Sequence, residues 1–503
     1  MSALTLTPPT PPVAHPRRWA ILALVLAVEC MDLLDGTIVN VAAPTIRADL
    51  GSGLSALQWV AGGYALTFAV GLVTGGRLGD IYGRRRLFQI GLAGFTISSA
   101  LCGAAPTPTT LLGARFLQGS SAALMFPQML SMIQVEFAPE ERAKCFALMG
   151  GVQGAGAILG QVLGGGLISL NVLGLDWRSV FLINVPVGIA ALIAAQRLVP
   201  ESRSDSARRL DLGGVALGSL VLGLVVFPLV EGRQAGWPWW VPVAFAAALP
   251  VGALWVAHER RVHARGGSPL VELELFRERS FGLGVGLVLL FWMVTSFFLL
   301  LGLYLQDGLG YSPIAAGLLF LPLAVTFVVA SLNSGRLLSS IPHERVLAAG
   351  AATVTVGLVI SALAAAGTVD GFPAFGLIVA FVLIGAGNGL FMPTAIGAVL
   401  RHIPAHAAGS ASGVLSTAQQ IGNALGVTVA GTAFFSVLGS HTGPAAYGNA
   451  LSAGTFVAVG VTAASALLAL GLRQPAASVV RGSAGDGPRG ARGSGPLPVG
   501  RGQ

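Results

Sequence analysis

Charge is scarce in this chain. Only 10% of its 503 residues are Asp, Glu, Lys or Arg, whereas 54% are hydrophobic and the mean hydropathy is +0.78. That balance excludes a soluble protein and fits a polytopic helical membrane protein. Cysteine is scarcer still: Cys30, Cys102 and Cys145 fall in or beside different apolar segments, with no disulfide framework or metal spacing. His15, His258, His263, His343, His402, His406 and His441 all fall in loops or the N-terminal tail, which leaves no histidine relay or metal cluster at membrane depth. No Gly-Lys-Ser/Thr follows the glycine-containing loop at 76–83, so there is no ATPase signature, and ion gradients must supply energy for any transport. No metal, cofactor or enzymatic chemistry is expected. The net charge of +8 would suit nucleic acid, but the basic residues are scattered through short loops, so no such partner is expected.

Apolar runs and glycine are abundant instead. Seventy glycines point to close helix packing in lipid. Fourteen candidate spans fall near 20–41, 57–76, 87–105, 110–133, 146–169, 179–198, 212–230, 239–257, 282–304, 314–333, 346–366, 374–399, 409–438 and 452–472. An even number puts both termini on one side. Alternate loops collect most of the arginines and the opposite loops hold only Arg47, Arg178 and Arg233, which assigns both termini to the cytoplasm. Trp59, Trp177, Trp237, Trp239 and Trp240 then form an aromatic belt at the outer interface. The pattern divides into an N-terminal six-helix bundle (1–200), two extra spans with their charged loops (201–280), a C-terminal six-helix bundle (281–473) and a Gly-, Pro-, Ser- and Arg-rich tail (474–503) expected to be disordered in the cytoplasm.

The first span carries the chain's most unusual chemistry. Glu29, Asp32 and Asp35 share an arc of roughly 120° on one helix face. Ionisable groups at membrane depth are costly and usually face a protein interior or a water-filled cavity. A polar helix–helix contact is the plain explanation, and a transport pathway the sharper one. Glu29 lies roughly 18 Å below the outer end of the span, near the bilayer midplane, where secondary transporters place coupling-ion sites. With Asp32 one turn away it is the expected proton carrier. Asp35 and Arg115 sit at matching depths, roughly 8–9 Å below the outer surface, so a buried ion pair is geometrically possible.

A repeat links the two halves. Residues 119–127 end at Pro127 and residues 385–393 end at Pro393, and the same offset of 266 maps Gly156, Gly160 and Gly165 onto Gly422, Gly426 and Gly431. Gln118, Gln161, Asn388, Gln419, Gln420 and Asn423 are candidates to line a cavity, although hydrogen bonds between helices explain the last four equally well.

The loop Gly76-Arg77-Leu78-Gly79-Asp80-Ile81-Tyr82-Gly83-Arg84-Arg85-Arg86 resembles the signature loop of the major facilitator superfamily, with a decayed copy at Gly335-Arg336-Leu337 in which Ser339 replaces the aspartate. Leu34-Asp35-Gly36-Thr37 through Pro44 is similar to the first-span motif of the fourteen-span drug:proton antiporters, the EmrB/QacA-like exporters. Leu111, Arg115, Gln118 and Gly119 resemble the superfamily's proton-coupling motif, and Trp177-Arg178 with Phe181, Asn184 and Pro186, and Tyr304-Leu305-Gln306, also look typical. Gly156, Gly160, Gly164 and Gly165 match the antiporter motif, but Gln161 stands where its proline belongs, which puts strict export direction in doubt. The resemblance implies an all-α fold of two six-helix bundles plus two spans. It also implies a conformational latch around Gly76, Asp80, Gly83, Arg84 and Arg85, and proton coupling by Glu29, Asp32, Asp35 and Arg115. The expected partners are protons, a small-molecule substrate and the lipid bilayer, with the chain a monomer in the cytoplasmic membrane. The expected function is proton-coupled drug or antibiotic efflux. An exporter of one endogenous metabolite and a non-transporting sensor on the same fold are the alternatives.

Overall fold

The computed structural model describes residues 16–472 except 52–53, 172–173, 204–209, 233–234, 268, 312, 368–372, 402 and 404–406, and within helices it leaves out some side chains, such as those of Asn40, Val41, Ala43, Pro44 and Gln161. Gln161, Gly165, His15, His402, His406, Arg208, Arg209, Arg233 and the 474–503 tail therefore lie outside the described residues. No strand occurs among the described residues. The helices are α1 (Arg18–Leu50), α2 (Leu54–Tyr82), α3 (Arg84–Gly103), α4 (Pro108–Glu136), α5 (Pro139–Leu170), α6 (Arg178–Leu182), α7 (Asn184–Leu198), α8 (Leu212–Glu231) and α9 (Trp240–Ala264). After them come α10 (Arg279–Trp292), α11 (Ser296–Leu303), α12 (Pro313–Leu319), α13 (Leu321–Leu338), α14 (His343–Ala365), α15 (Pro373–Leu400), α16 (Ala408–Leu438) and α17 (Pro444–Gly471).

Among the described residues, nine helical segments are long and apolar enough to cross a membrane. They do not include α1, whose 33 residues are interrupted by Glu29, Asp32 and Asp35. Local chemistry sets the ends. Thr107 caps α4 by accepting the Thr110 N–H, with Pro108 in the first turn, and Asp211 caps α8 by accepting the Gly214 N–H. Three segments expected to be single helices are broken, one of them near 282–304, where a 3-10 turn at Met293–Thr295 separates α10 from α11. Pro186 cannot bond the carbonyl of Leu182, where α6 ends, and Pro322 cannot bond that of Leu318, next to the end of α12.

Small residues set the packing. Gly156, Gly160 and Gly164 of α5 lie against Leu33, Thr37 and Ile38 of α1. In the second half, Gly422 and Gly426 of α16 lie against Leu289, Trp292 and Met293 at the corresponding place between α10 and α11. The halves meet where α2 crosses α16, with Gly76 against Gly409 and Gly413. They also meet where α5 crosses α13, with the Ser331 hydroxyl donating to Ala147 O at 2.5 Å. Gln134 Nε2 donates to Leu400 O at 3.2 Å across the same end of the bundle.

The α8–α9 hairpin leans on the α2–α16 seam. Phe227 packs on Trp59 of α2 at 5.7 Å, and Thr428 of α16 donates to Leu229 O at 2.8 Å. Two expectations need correcting. His258 and His263 lie on α9 and His343 opens α14, because these helices run past their apolar stretch into the charged residues beyond. Trp177 is not part of a lipid-facing belt. It is fully buried, edge-on to Phe181, and its indole N–H donates to Asp49 at 3.0 Å.

Candidate functional site

The three carboxylates of α1 share a face, and each meets a different set of partners. Glu29, the first of the three along α1, is fully buried. Its Oε1 accepts from Gln153 Nε2 of α5 at 2.9 Å, and its Oε2 has no hydrogen-bond partner among the described residues. One turn on, Asp32 accepts from the Tyr64 hydroxyl of α2 at 2.5 Å. Neither carboxylate forms an ion pair among the described residues.

Asp35 is held differently. Arg115 Nη1 of α4 reaches its Oδ2 at 2.5 Å, while Gln118 and Asn184 donate to its Oδ1, each at 2.9 Å. Arg115 also donates to Gln118 Oε1 at 2.8 Å and Val60 O at 3.0 Å, and its guanidinium lies 4.4 Å from the centre of the Tyr64 ring. Ser99 joins the network through Asn184 at 3.0 Å. A buried charge pair is tolerable only when its remaining donors and acceptors are met, and here four helices contribute them. Gln118 is thus enclosed in this network rather than facing open space.

A second cluster sits at the end of α2. Asp80 Oδ1 accepts from Arg84 at 2.7 Å, and its Oδ2 accepts the Ser410 N–H at 3.2 Å in the first turn of α16. Gly76 lies one turn before it, against Gly409. Gly83, at φ 106, takes a left-handed turn before α3 that a side chain would strain. Arg84 N–H donates to Ser202 O at 2.8 Å, and Arg85 bonds Val199 O at 3.3 Å and approaches Glu201 at 3.9 Å. The polar residues of the second half are dispersed. Asn388 is buried and donates to Ile384 O of its own helix at 2.9 Å; Gln419 is buried; Gln420 is half-buried; Asn423 is exposed and accepts from Thr295 at 2.5 Å.

Tyr64 and Gln153, the partners of Asp32 and Glu29, were not singled out from the sequence, and Ser99 was also missed. The available signal was a polar side chain inside an apolar run. It does not say which helix the side chain faces.

Residues 25–427 match the family model described as the Major Facilitator Superfamily. The chain belongs to the major facilitator superfamily. Among superfamily members, it is 44% identical to the "Probable actinorhodin transporter" of Streptomyces coelicolor over 86% of this chain and 75% of that one. It is 38% identical to the puromycin resistance protein pur8 of Streptomyces alboniger, over 90% and 91%. It is 36% identical to the cephamycin export protein CmcT of Amycolatopsis lactamdurans, over 84% and 86%. The fold is similar to that of the human organic anion transporter MFSD10, at 16% identity with a TM-score of 0.62, over 90% of this chain and 100% of that one. The proton:xylose symporter XylE gives 0.60 at 16% identity, over 88% and 94%. Those of these relatives that are named for transport or export are transporters rather than enzymes.

Proposed function

We propose that the chain is a proton-coupled exporter of amphipathic small molecules, of the antibiotic or drug class named for its relatives. In this reading it has fourteen spans, works as a monomer in the cytoplasmic membrane with both termini inside, and exports by alternating access. The division into two six-helix bundles flanking the α8–α9 hairpin belongs to the same reading. The observation that carries it is the α1 column, in which one carboxylate is paired to a cation and two are not. A carboxylate with no cation in a low-dielectric interior is costly unless its charge can be relieved by a proton. A paired one has no such need.

Asp35, fixed by Arg115, orients the site, while Glu29 exchanges the proton with Asp32 as its neighbour. Gln153 and Tyr64 hold the two carboxyls in place in either protonation state. Gly76, Asp80, Gly83, Arg84 and Arg85 then act as the latch between conformations, and Gly156, Gly160 and Gly164 keep α5 close enough to α1 to serve Glu29. Asn388, Gln419, Gln420 and Asn423 would face the substrate path in the second half.

The test is transport driven by a pH gradient in vesicles, after a growth-inhibition panel in a host lacking its own efflux pumps has found a substrate. Glu29→Gln is expected to abolish gradient-driven efflux and leave substrate binding measurable. Full efflux by Glu29→Gln, with loss only in Asp32 or Asp35 variants, would move the proton site along α1.

A further inference from the structure

Between α9 and α10 the chain runs without helix through 269–272, then through a 3-10 turn at Leu273–Arg277. Connections are normally exposed. Here Leu270 and Val271 are 2% and 1% exposed, packed with Val73 of α2, Val414 of α16, and Val215 and Trp255 of the hairpin.

Polar contacts tie Leu270, Val271 and Glu272 to three helices. Ser410 of α16 donates its hydroxyl to Leu270 O at 3.3 Å. Val271 N–H donates to Glu259 Oε2 of α9 at 3.3 Å, and Glu259 is itself fully buried. Glu272 Oε1 lies 3.6 Å from Arg77 Nη1 of α2, an arginine only 3% exposed. Ser410 therefore has two roles: its N–H goes to Asp80 and its hydroxyl to this segment.

We infer that 269–273 is a strap across the α2–α16 seam, anchored by the α8–α9 hairpin through Glu259, and that it must detach for this end of the bundle to open. The inference rests on the alternating-access reading above. Helices α2 and α16 belong to opposite halves, so they separate when the end opens. A segment bonded to both cannot follow both. The extra hairpin is thus a restraint that sets the balance between closed and open states, and Glu259 is its positioning residue.

The test uses the full chain made cysteine-free by Cys30→Ser, Cys102→Ala and Cys145→Ala, reconstituted in lipid. Spin labels at Tyr82→Cys and Ser340→Cys report the distance between halves at this end. Glu259→Leu removes the acceptor for Val271 N–H and should raise the long-distance population about threefold to tenfold, as loss of one buried hydrogen bond predicts. Glu259→Gln keeps an acceptor and should match the parent. Ser410→Ala, which keeps the N–H to Asp80, should shift the same way as Glu259→Leu and covers the case in which that variant does not fold. Distances unchanged in Glu259→Leu, or unchanged in Ser410→Ala where the leucine variant does not fold, would overturn the strap. A shift in Glu259→Gln as large as in Glu259→Leu would also overturn it. A parent and an Asp80→Asn protein that both hold a single unvarying distance would instead overturn the alternating-access reading beneath it.

Discussion

The two halves of the molecule pack alike and differ in what they bury. In the first, Glu29, Asp32, Asp35, Arg77, Asp80, Arg84 and Arg115 are all buried, whereas from α10 to α17 no charged residue is buried among the described residues. The correspondence can be followed position by position. Gly156 and Gly160 against Leu33 and Leu34 match Gly422 and Gly426 against Trp292 and Met293. That register places Val288, Phe291 and Val294, all buried, where α1 has Glu29, Asp32 and Asp35. The repeat offset of 266 places Phe381 and Ile384 where α4 has Arg115 and Gln118, and both are buried. The second half thus shows that this architecture needs no buried ion pair to pack. In the proposed reading the charges of the first half serve chemistry, and the fold accommodates them.

The strongest way to test this is to give the first half the second half's solution. Arg115→Met alone leaves Asp35 without its cation and should cost about 3–5 kcal/mol of stability. Asp35→Val with Arg115→Phe, in contrast, should recover most of that stability in thermal unfolding while transport stays abolished. If the double variant is as unstable as the sum of the singles, the two residues do not act as a pair and the comparison fails.

The seam gives the next contrast. A Cβ on Gly76 would run into the Gly409 backbone, whereas nothing lies within 4 Å of a Cβ on Gly335, its counterpart in the decayed copy. Gly76→Ala should keep the α2–α16 end from closing and cost about 1–3 kcal/mol through overpacking. Gly335→Ala should leave spin-label distances and transport unchanged. Equal effects would mean that the second copy still works as a latch.

Smaller is the effect of Asp80→Asn. It removes the charge that α2 holds against the N–H groups of the first turn of α16, a dipole contribution of about 0.3–1 kcal/mol, up to about 2 when partly buried. Cysteine-accessibility patterns should shift toward opening at this end, without loss of insertion. The smallest change is expected for Ser339→Ala. The Ser339 hydroxyl donates to Arg336 O within its own turn at 2.6 Å and is exposed, so accessibility should match the parent. A shift there as large as for Asp80→Asn would erase the difference between the two copies.

What could be read from the sequence was what repeats or what is costly. The carboxylates of α1 stand out because apolar runs rarely carry charge. Matching depths bring Asp35 and Arg115 to the same level, and the glycine register appears twice. Partners from distant helices were not legible. Gln153 is 124 residues from Glu29 and Asn184 is 149 from Asp35, and no single-chain pattern says which face of one helix meets which face of another. The strap was hidden for a related reason. Its burial depends on Glu259, which reads as one more charged residue at the end of a span. Trp177 misled because a tryptophan near a span end suggests lipid, and only Asp49 and Phe181 reveal that it is enclosed.

The split between Asp35 and its cation also bears on how the chain is made. Arg115 follows Asp35 by 80 residues. At about 5–20 residues per second, that is about 4–16 s during which Asp35 has left the ribosome without the arginine it pairs with. An aspartate at the centre of a span opposes insertion by about 2.5–3.5 kcal/mol, and one nearer the surface, such as Asp35, by less. The first segment is therefore expected to stay sheltered until α4 arrives and to enter lipid as one member of a group. Membrane entry and assembly of the site become a single event, so a chain truncated before α4 should be retained by the insertion machinery rather than released into the bilayer.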